Sequence, residues 1–511
     1  MVPSPIAPLL IAYLALMAAI ILWNVSAAGR IVHDRRPPRG FVVLTALSAL
    51  LLLPATLIAI FCASVTYGRA IQPIAWVWPA VTILFAIQAT YALIRRLVIP
   101  LFGVPILVYN VVIALVATAH YCNAIGIIPP NWMLVLSASH ASALGIIAGP
   151  QALSLTSWLF VPLFSPAFPS RSRLKALVRT ALAVSITIAT ALIVMEIPGA
   201  IETIRSYERY RDASLQERPA GDLNFGLKVF PELRSAPLSV AIQRDLSLVD
   251  SLGGNAISVL VAPEAARGRA LDSLKRTVDA LRTDSTILIV TLGYPRNAKK
   301  LFTQSRQEYL RARYRDVNWL ARELRPNILI PAHEPYGAGV EALGTLSPEF
   351  WIDYIVESAR IAHYVNPNIK VGIAAASYGP RDSTLYTWAA NRNAPVDIVG
   401  FSLMPGFDGA TSLDTKLRIA QRWMRHTPRP KPHWVWSAGG FPVTHGERSQ
   451  TFALRGVIAW ATTQPAIKGI VITEAGDYDA QQGLRSPGGR LRPAALDVAR
   501  SIAAIKETAT H

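Results

Sequence analysis

NILIPAHEP, residues 327–335, is a short apolar run that stops on His333, Glu334 and a proline. An apolar run of this length, closed by proline, suits a buried strand whose polar end projects beyond the sheet. Seven other runs have the same form: NFGLKVF (224–230), AISVLVAP (256–263), TILIVTLGYP (286–295), KVGIAAASYGP (370–380), DIVGFSLMPG (397–406), HWVWSAGGFP (433–442) and KGIVITEAGDYD (468–479). Between them lie stretches such as ALDSLKRTVDALR (270–282) and EFWIDYIVESARIAHYV (349–365), with apolar residues three and four apart. That alternation predicts a parallel α/β fold. Eight strands over about 285 residues match a (β/α)8 TIM barrel in count and size. A doubly wound sheet is the alternative, but no glycine-rich dinucleotide turn follows the first strand.

The residues before about 200 have a different composition. They hold eleven of the chain's 50 Lys and Arg and two of its 32 Asp and Glu, Asp34 and Glu196. Apolar runs near 6–28, 41–66, 73–94, 99–124, 131–150 and 176–198 are each long enough to be a spanning helix. Residues 151–166 form a shorter apolar stretch that extends the fifth span, lies in the interface or re-enters the membrane. Arg30, Arg35, Arg36 and Arg39 share one side with Arg95 and Arg96 and with Arg171, Arg173, Lys175 and Arg179, whereas the opposite loops carry only Arg69. The basic side is expected to be cytoplasmic. The chain is thus expected to be an integral membrane protein with an all-α domain of six spans (1–200), a linker (201–222), an extracytoplasmic barrel (223–505) and a tail (506–511).

The charge pattern argues against nucleic acid, because the cations are scattered and not interleaved with aromatics. Both cysteines, Cys62 and Cys122, lie in the apolar part. Walker, zinc-hydrolase and Gly-x-Ser-x-Gly patterns are absent, and His433 and His445 lack metal-ligand spacing, so no metal or cofactor is expected. His120 and His140 sit within spans, where a histidine can relay protons or hold haem. His140 lies in SASHASA (137–143), a small-residue setting suited to close helix packing. Six spans also exceed what anchoring needs, which points to a partner or lipid-linked ligand in the bilayer.

Active sites of such barrels form at the C-terminal strand ends. These carry His333, Glu334 and Tyr336 after strand 4, Ser377 and Tyr378 after strand 5, and Asp408 after strand 6. Ser437 and Ala438 end strand 7, and Glu474, Asp477 and Tyr478 follow strand 8. With this order of motifs, residues from about 220 to 505 resemble clan A of the glycoside hydrolases, especially its β-1,3-glucanase-like branches. The resemblance implies a retaining sugar hydrolase acting on polysaccharide or oligosaccharide, with its acid/base after strand 4 and a nucleophilic Glu after strand 7. Ala332-His333-Glu334-Pro335 stands where the family has Asn-Glu-Pro, so Glu334 matches the acid/base. Ser437-Ala438-Gly439-Gly440-Phe441-Pro442 keeps the frame of Ser-Glu-x-Gly-Trp-Pro but has no carboxylate. Retaining hydrolysis needs two carboxyls about 5–5.5 Å apart, whereas inversion needs only a base about 6.5–9.5 Å away. Glu474 or Asp477, with Asp408 as a third candidate, would supply that base. Trp436, Tyr336, Tyr378 and Tyr478 are candidate sugar-stacking residues, and His333 a donor to a sugar hydroxyl. The expected function is therefore to act on or bind β-glucan-like cell-surface or exported polysaccharide. The alternative is a catalytically inactive glycan-binding or scaffold subunit of a larger membrane complex.

Overall fold

The computed structural model describes residues 38–62, 68–148, 161–165, 173–219, 221–233, 239–264, 285–405, 413–427, 431–477 and 482–507, with scattered positions in 15–24 and 272–283. The eight apolar runs are eight parallel strands: β1 (Asn224–Leu233), β2 (Ala256–Val261), β3 (Ile287–Leu292), β4 (Ile328–Ile330), β5 (Lys370–Ala375), β6 (Ile398–Leu403), β7 (His433–Ala438) and β8 (Ile467–Ile472). They hydrogen-bond in chain order and close when β8 pairs with β1. Alternate residues divide between two cores, as the two-residue period of a strand requires. Val259, Val290, Val371, Val399 and Val435 face the surrounding helices. Ile289, Ile328, Ile330, Ala374, Ile398, Trp434, Trp436 and Val471 fill the barrel interior. Two indoles fit there because their neighbours on β6 and β8, Gly400 and Gly469, have no side chain; a Cβ at either would collide with Trp436 or Trp434.

The helices begin where local chemistry favours it. Ser347 caps the helix Pro348–Val365 by accepting from the Phe350 amide at 3.3 Å, with proline in the first turn. That helix buries Phe350, Trp351, Tyr354, Ile355, Ser358, Ala359 and Ala362, one stripe at helical spacing.

Among the described residues, four helices are long and apolar enough to cross a membrane: Arg39–Cys62, Arg69–Ile94, Pro100–Ile125 and Leu177–Glu208. Among the described residues of this half, the helices of twelve residues or more are α1 (Arg39–Cys62), α2 (Val77–Ile94), α3 (Pro100–Ile125), α4 (Asn131–Ala148), α5 (Arg173–Met195) and α6 (Ile197–Glu208). The expected span at 131–150 corresponds to α4. The one at 6–28 lies largely outside the described residues. Leu50, Leu53, Ile94 and Leu101 are among the large apolar side chains turned outward. Such a belt is costly in water and suits lipid. The stretch read as a linker is packed: α6 runs into it, and Arg218 ties it to the barrel through the Gln464 and Ile467 carbonyls, both at 2.8 Å.

Residues 161–165 explain the polar side chains inside the apolar half. This non-helical segment is buried among the helices, where its backbone has no water to bond to. Asn24 donates to the Pro162 carbonyl (2.7 Å) and accepts from the Phe164 amide (2.9 Å). Asn110 bridges both backbone groups of Leu163 (2.8 and 2.9 Å), and Gln88 those of Ser165 (3.2 and 3.1 Å). Three amides thus serve an irregular chain that lipid could not.

The halves meet at the C-terminal end of the barrel. The short helix Pro442–His445 after β7 packs on α3 and α4. Asn123 at the end of α3 donates to the Val443 carbonyl (3.3 Å) and accepts from Arg490 (2.7 Å). The Tyr207 hydroxyl of α6 meets His445 Nδ1 at 3.0 Å.

Two buried histidines in the barrel half set a pH limit on the fold. His433 Nδ1 donates to the Lys431 carbonyl (2.6 Å), so Nε2 accepts from the Tyr386 hydroxyl (2.9 Å). Burial pushes both His433 and His445 down to about 4. An unfolded histidine titrates near 6.5, so between those values the unfolded chain binds more protons. The stabilisation is complete above about pH 6.5 and is lost as pH falls toward 4, on the order of 3 kcal/mol for each histidine. Denaturant unfolding across that range is expected to show a steep acid slope, which His433→Met makes shallower.

Candidate functional site

Lys228, Ser258, Leu260, Thr291, Ile330, His333, Glu334, Ala374, Trp436 and Ser437 line a cavity at the C-terminal end of the barrel interior. Among the described residues that line it, Glu334 is the single carboxylate and Lys228 the single lysine or arginine. The side chain of Glu334 is set by the turn that carries it. The residue has a left-handed backbone (φ 43°), and its carbonyl accepts from the amides of Gly337 (2.9 Å) and Gly339 (3.0 Å). Strained non-glycine residues of this kind concentrate at functional sites.

Burial raises the Glu334 carboxyl, but His333, the Ser402 hydroxyl, Lys228 and Lys416 together outweigh it and hold the group below the usual carboxylate range. Burial drives His333 itself down to about 4, with Lys228 adding to the effect and Glu334 opposing it. His333 is therefore neutral near pH 7, whereas Glu334 is ionised. In a two-carboxylate site, by contrast, the second negative charge raises the acid's pKa.

Strand β7 decides which side chain enters the cavity. Its register with β6 runs Gly400–Trp434, Phe401–Val435, then Ser402–Ser437 and Leu403–Ala438, so Trp436 is the extra residue of a β-bulge. A bulge re-aims the side chains after it. Trp436 and Ser437 both line the cavity, and Ala438 turns outward into the core between sheet and helices, 0 % exposed. Ser437 bonds the Thr473 hydroxyl at 2.6 Å.

The other expected site residues are dispersed. Trp436 lies flat on Trp434 (centroids 5.4 Å apart, 16° between planes) and donates to the Ile373 carbonyl at 2.8 Å, so it forms the floor of the cavity. Tyr378 stacks on Trp423 and Phe401 within the outer core and donates to the Ser402 carbonyl (3.0 Å), steadying the strand end that bonds Glu334. Its left-handed backbone (φ 58°) is held by Asp382, which accepts from the amides of Ala376, Ser377 and Tyr378. Tyr336 is buried in the same core. Asp477 receives a bidentate pair from Arg492 (2.7 and 2.5 Å) and the Gly483 amide (2.8 Å), facing the apolar helical half. Glu474 is buried at the end of β8, where its carbonyl accepts from Leu484 (2.8 Å), and it does not line the Glu334 cavity. Asp408 and Tyr478 lie outside the described residues. Among the described residues no cluster of His, Cys, Asp and Glu could hold a metal.

Sequence reasoning overlooked Lys228 and Ser402, and named Ser437 only as a strand-end residue. The two-residue period of NFGLKVF was a usable signal, since Lys228 shares the inward face of Gly226. The bulge at Trp436 left no such trace.

No family model matches the sequence, and no curated protein matches it. Solved structures with a similar barrel include the exo-beta-1,4-mannosidase from Opitutaceae bacterium strain TAV5 (14% identity, TM-score 0.45, covering 58% of this chain and 62% of that one). GH5_18 from Streptomyces cattleya in complex with GlcNAc is similar at 17% identity and TM-score 0.44, covering 57% and 81%. The beta-glucuronidase from Ruminococcus gnavus is similar at 11% identity and TM-score 0.39, covering 54% and 50%. The chain thus spans about half to four-fifths of these proteins' lengths.

Proposed function

We propose that the barrel binds saccharide at its C-terminal mouth without hydrolysing it, and that the apolar half anchors it in the bilayer with six spans and the barrel on the extracytoplasmic side. The observation that carries this reading is the cavity chemistry: one carboxylate among the described lining residues, held below the usual carboxylate range by His333, the Ser402 hydroxyl, Lys228 and Lys416, with the hydroxyls of Ser258, Thr291 and Ser437 in the same cavity. An ionised carboxylate accepts hydrogen bonds from sugar hydroxyls but has no proton to give a leaving group. Neutral His333 adds one donor and one acceptor. The frame from His433 to Pro442 favours a β-glucan-like ligand, and attachment to the membrane helices supports a scaffold or carrier role at the bilayer surface.

Binding of β-glucan oligosaccharides to the full-length protein, measured by titration calorimetry, is the test. Glu334→Gln keeps the shape but removes the charge, and is expected to weaken binding about tenfold, the value of one charge-assisted hydrogen bond. Because the folded pKa of Glu334 is depressed, wild-type binding persists through the ordinary carboxylate range. It is lost only at lower pH, a loss Glu334→Gln does not show. Equal affinities for the two proteins at neutral pH would exclude Glu334 from the ligand site.

A further inference from the structure

A second, larger cavity lies between the two halves, separate from the Glu334 cavity. Its helical side is largely apolar, with Ala59 from α1, Trp78 from α2, and Ile113 and Ala117 from α3, beside the polar side chains of Gln72, His120, Asn123 and His140. Its barrel side is polar, with Glu447, Asp477 and Arg492. These charges are already matched: Arg492 pairs with Asp477 and Glu447, and Arg490 with Glu447 and the Asn123 carbonyl. Two acids and two bases leave no surplus positive charge for a phosphate. They do offer carboxylate lone pairs and guanidinium donors to an uncharged, hydroxyl-rich group. A largely apolar cleft with a few fixed polar groups at one end suits a small amphiphile. The segments forming the polar end, 442–447 after β7, and Asp477 and 486–492 after β8, follow the C-terminal ends of those strands, on the side of the barrel mouth.

We propose that this junction cavity binds the lipid end of a membrane-anchored glycoside with an uncharged sugar head, hydrocarbon among α1–α3 and first sugar against Glu447, Asp477 and Arg492. The glycan would then reach the barrel mouth from the bilayer, so the proposal names the ligand class for the saccharide-binding reading and rests on it for the glycan alone.

The test uses full-length protein in lipid nanodiscs and a dodecyl glucoside carrying a diazirine on its alkyl chain, with labelled positions mapped by peptide mass spectrometry. Saturable labelling is expected on the cavity-lining parts of α1–α3, competed by unlabelled dodecyl glucoside and not by dodecanol. Ala117→Trp, which fills the apolar side, is expected to lower labelling about tenfold. If that variant misfolds, wild-type thiol modification replaces it: Cys62 lines the cavity and Cys122 does not. Dodecyl glucoside should then slow alkylation of Cys62 and leave Cys122 unchanged. Labelling that does not saturate, competition by dodecanol as strong as by the glycoside, or an unprotected Cys62 overturns the proposal. Glu334→Gln should leave labelling intact. Specific labelling without binding of soluble oligosaccharide would reject the barrel reading alone, and the converse would reject the junction site alone.

Discussion

Ala438→Glu is expected to destabilise the barrel by roughly 3–5 kcal/mol and to leave it without hydrolytic activity, because the new carboxylate would be buried and unpaired. Residue 438 keeps the position of a nucleophile in the linear motif, but in the fold its side chain faces away from the mouth. It packs between the sheet and the helices, beside Leu403 and Ile472 of the flanking strands. The longer side chain also overfills a core with no space for it. Ser437→Glu is the contrasting change. It projects into the Glu334 cavity beside Lys228, where an ion pair compensates the charge, and it raises the Glu334 pKa through like-charge repulsion. Denaturant melts of the two variants separate the positions. Equal stability, or activity gained at 438, would mean that β7 has no bulge at Trp436.

Arg492→Met should cost roughly 3–5 kcal/mol, since it leaves the Asp477 carboxylate buried without its cation. Asp477 is 1 % exposed and Arg492 3 %, and the guanidinium also reaches the Gly483 carbonyl and Glu447. Removing both charges with Asp477→Leu and Arg492→Met is expected to recover much of the loss, as buried pairs replaced by apolar groups usually do. The single variant should also loosen the 482–492 segment where it meets Asn123 and Gln72, seen as faster amide exchange there. Unchanged stability in Arg492→Met would leave Asp477 available for proton transfer.

Every strand of the barrel was legible in the sequence, because a strand buried on both faces must be apolar throughout and ends at Gly or Pro. The site was legible only at Glu334 and His333, where chemistry sits directly at a strand end. Asp477 looked like a base in the linear order, since its partner, Arg492, is fifteen residues away across a loop. Trp436, Tyr336 and Tyr378 looked like stacking surfaces, yet aromatic side chains at strand ends also fill cores, and only packing tells the two uses apart. The bulge depends on register against β6, which a single strand does not encode. In the apolar half, Asn110 is a polar residue within a helix long enough to span a membrane. Its purpose depends on Leu163, fifty-three residues on, so it emerges only when the irregular segment is seen between the helices.

Product analysis tests the central claim most directly. Full-length protein is incubated with β-glucan oligosaccharides at neutral pH, and the mixture is followed by mass spectrometry for both complex and cleavage. A one-carboxylate binding site predicts a complex with intact oligosaccharide and no shortened products from wild type. Shortened products that vanish in Glu334→Gln would contradict it and restore the barrel to catalysis.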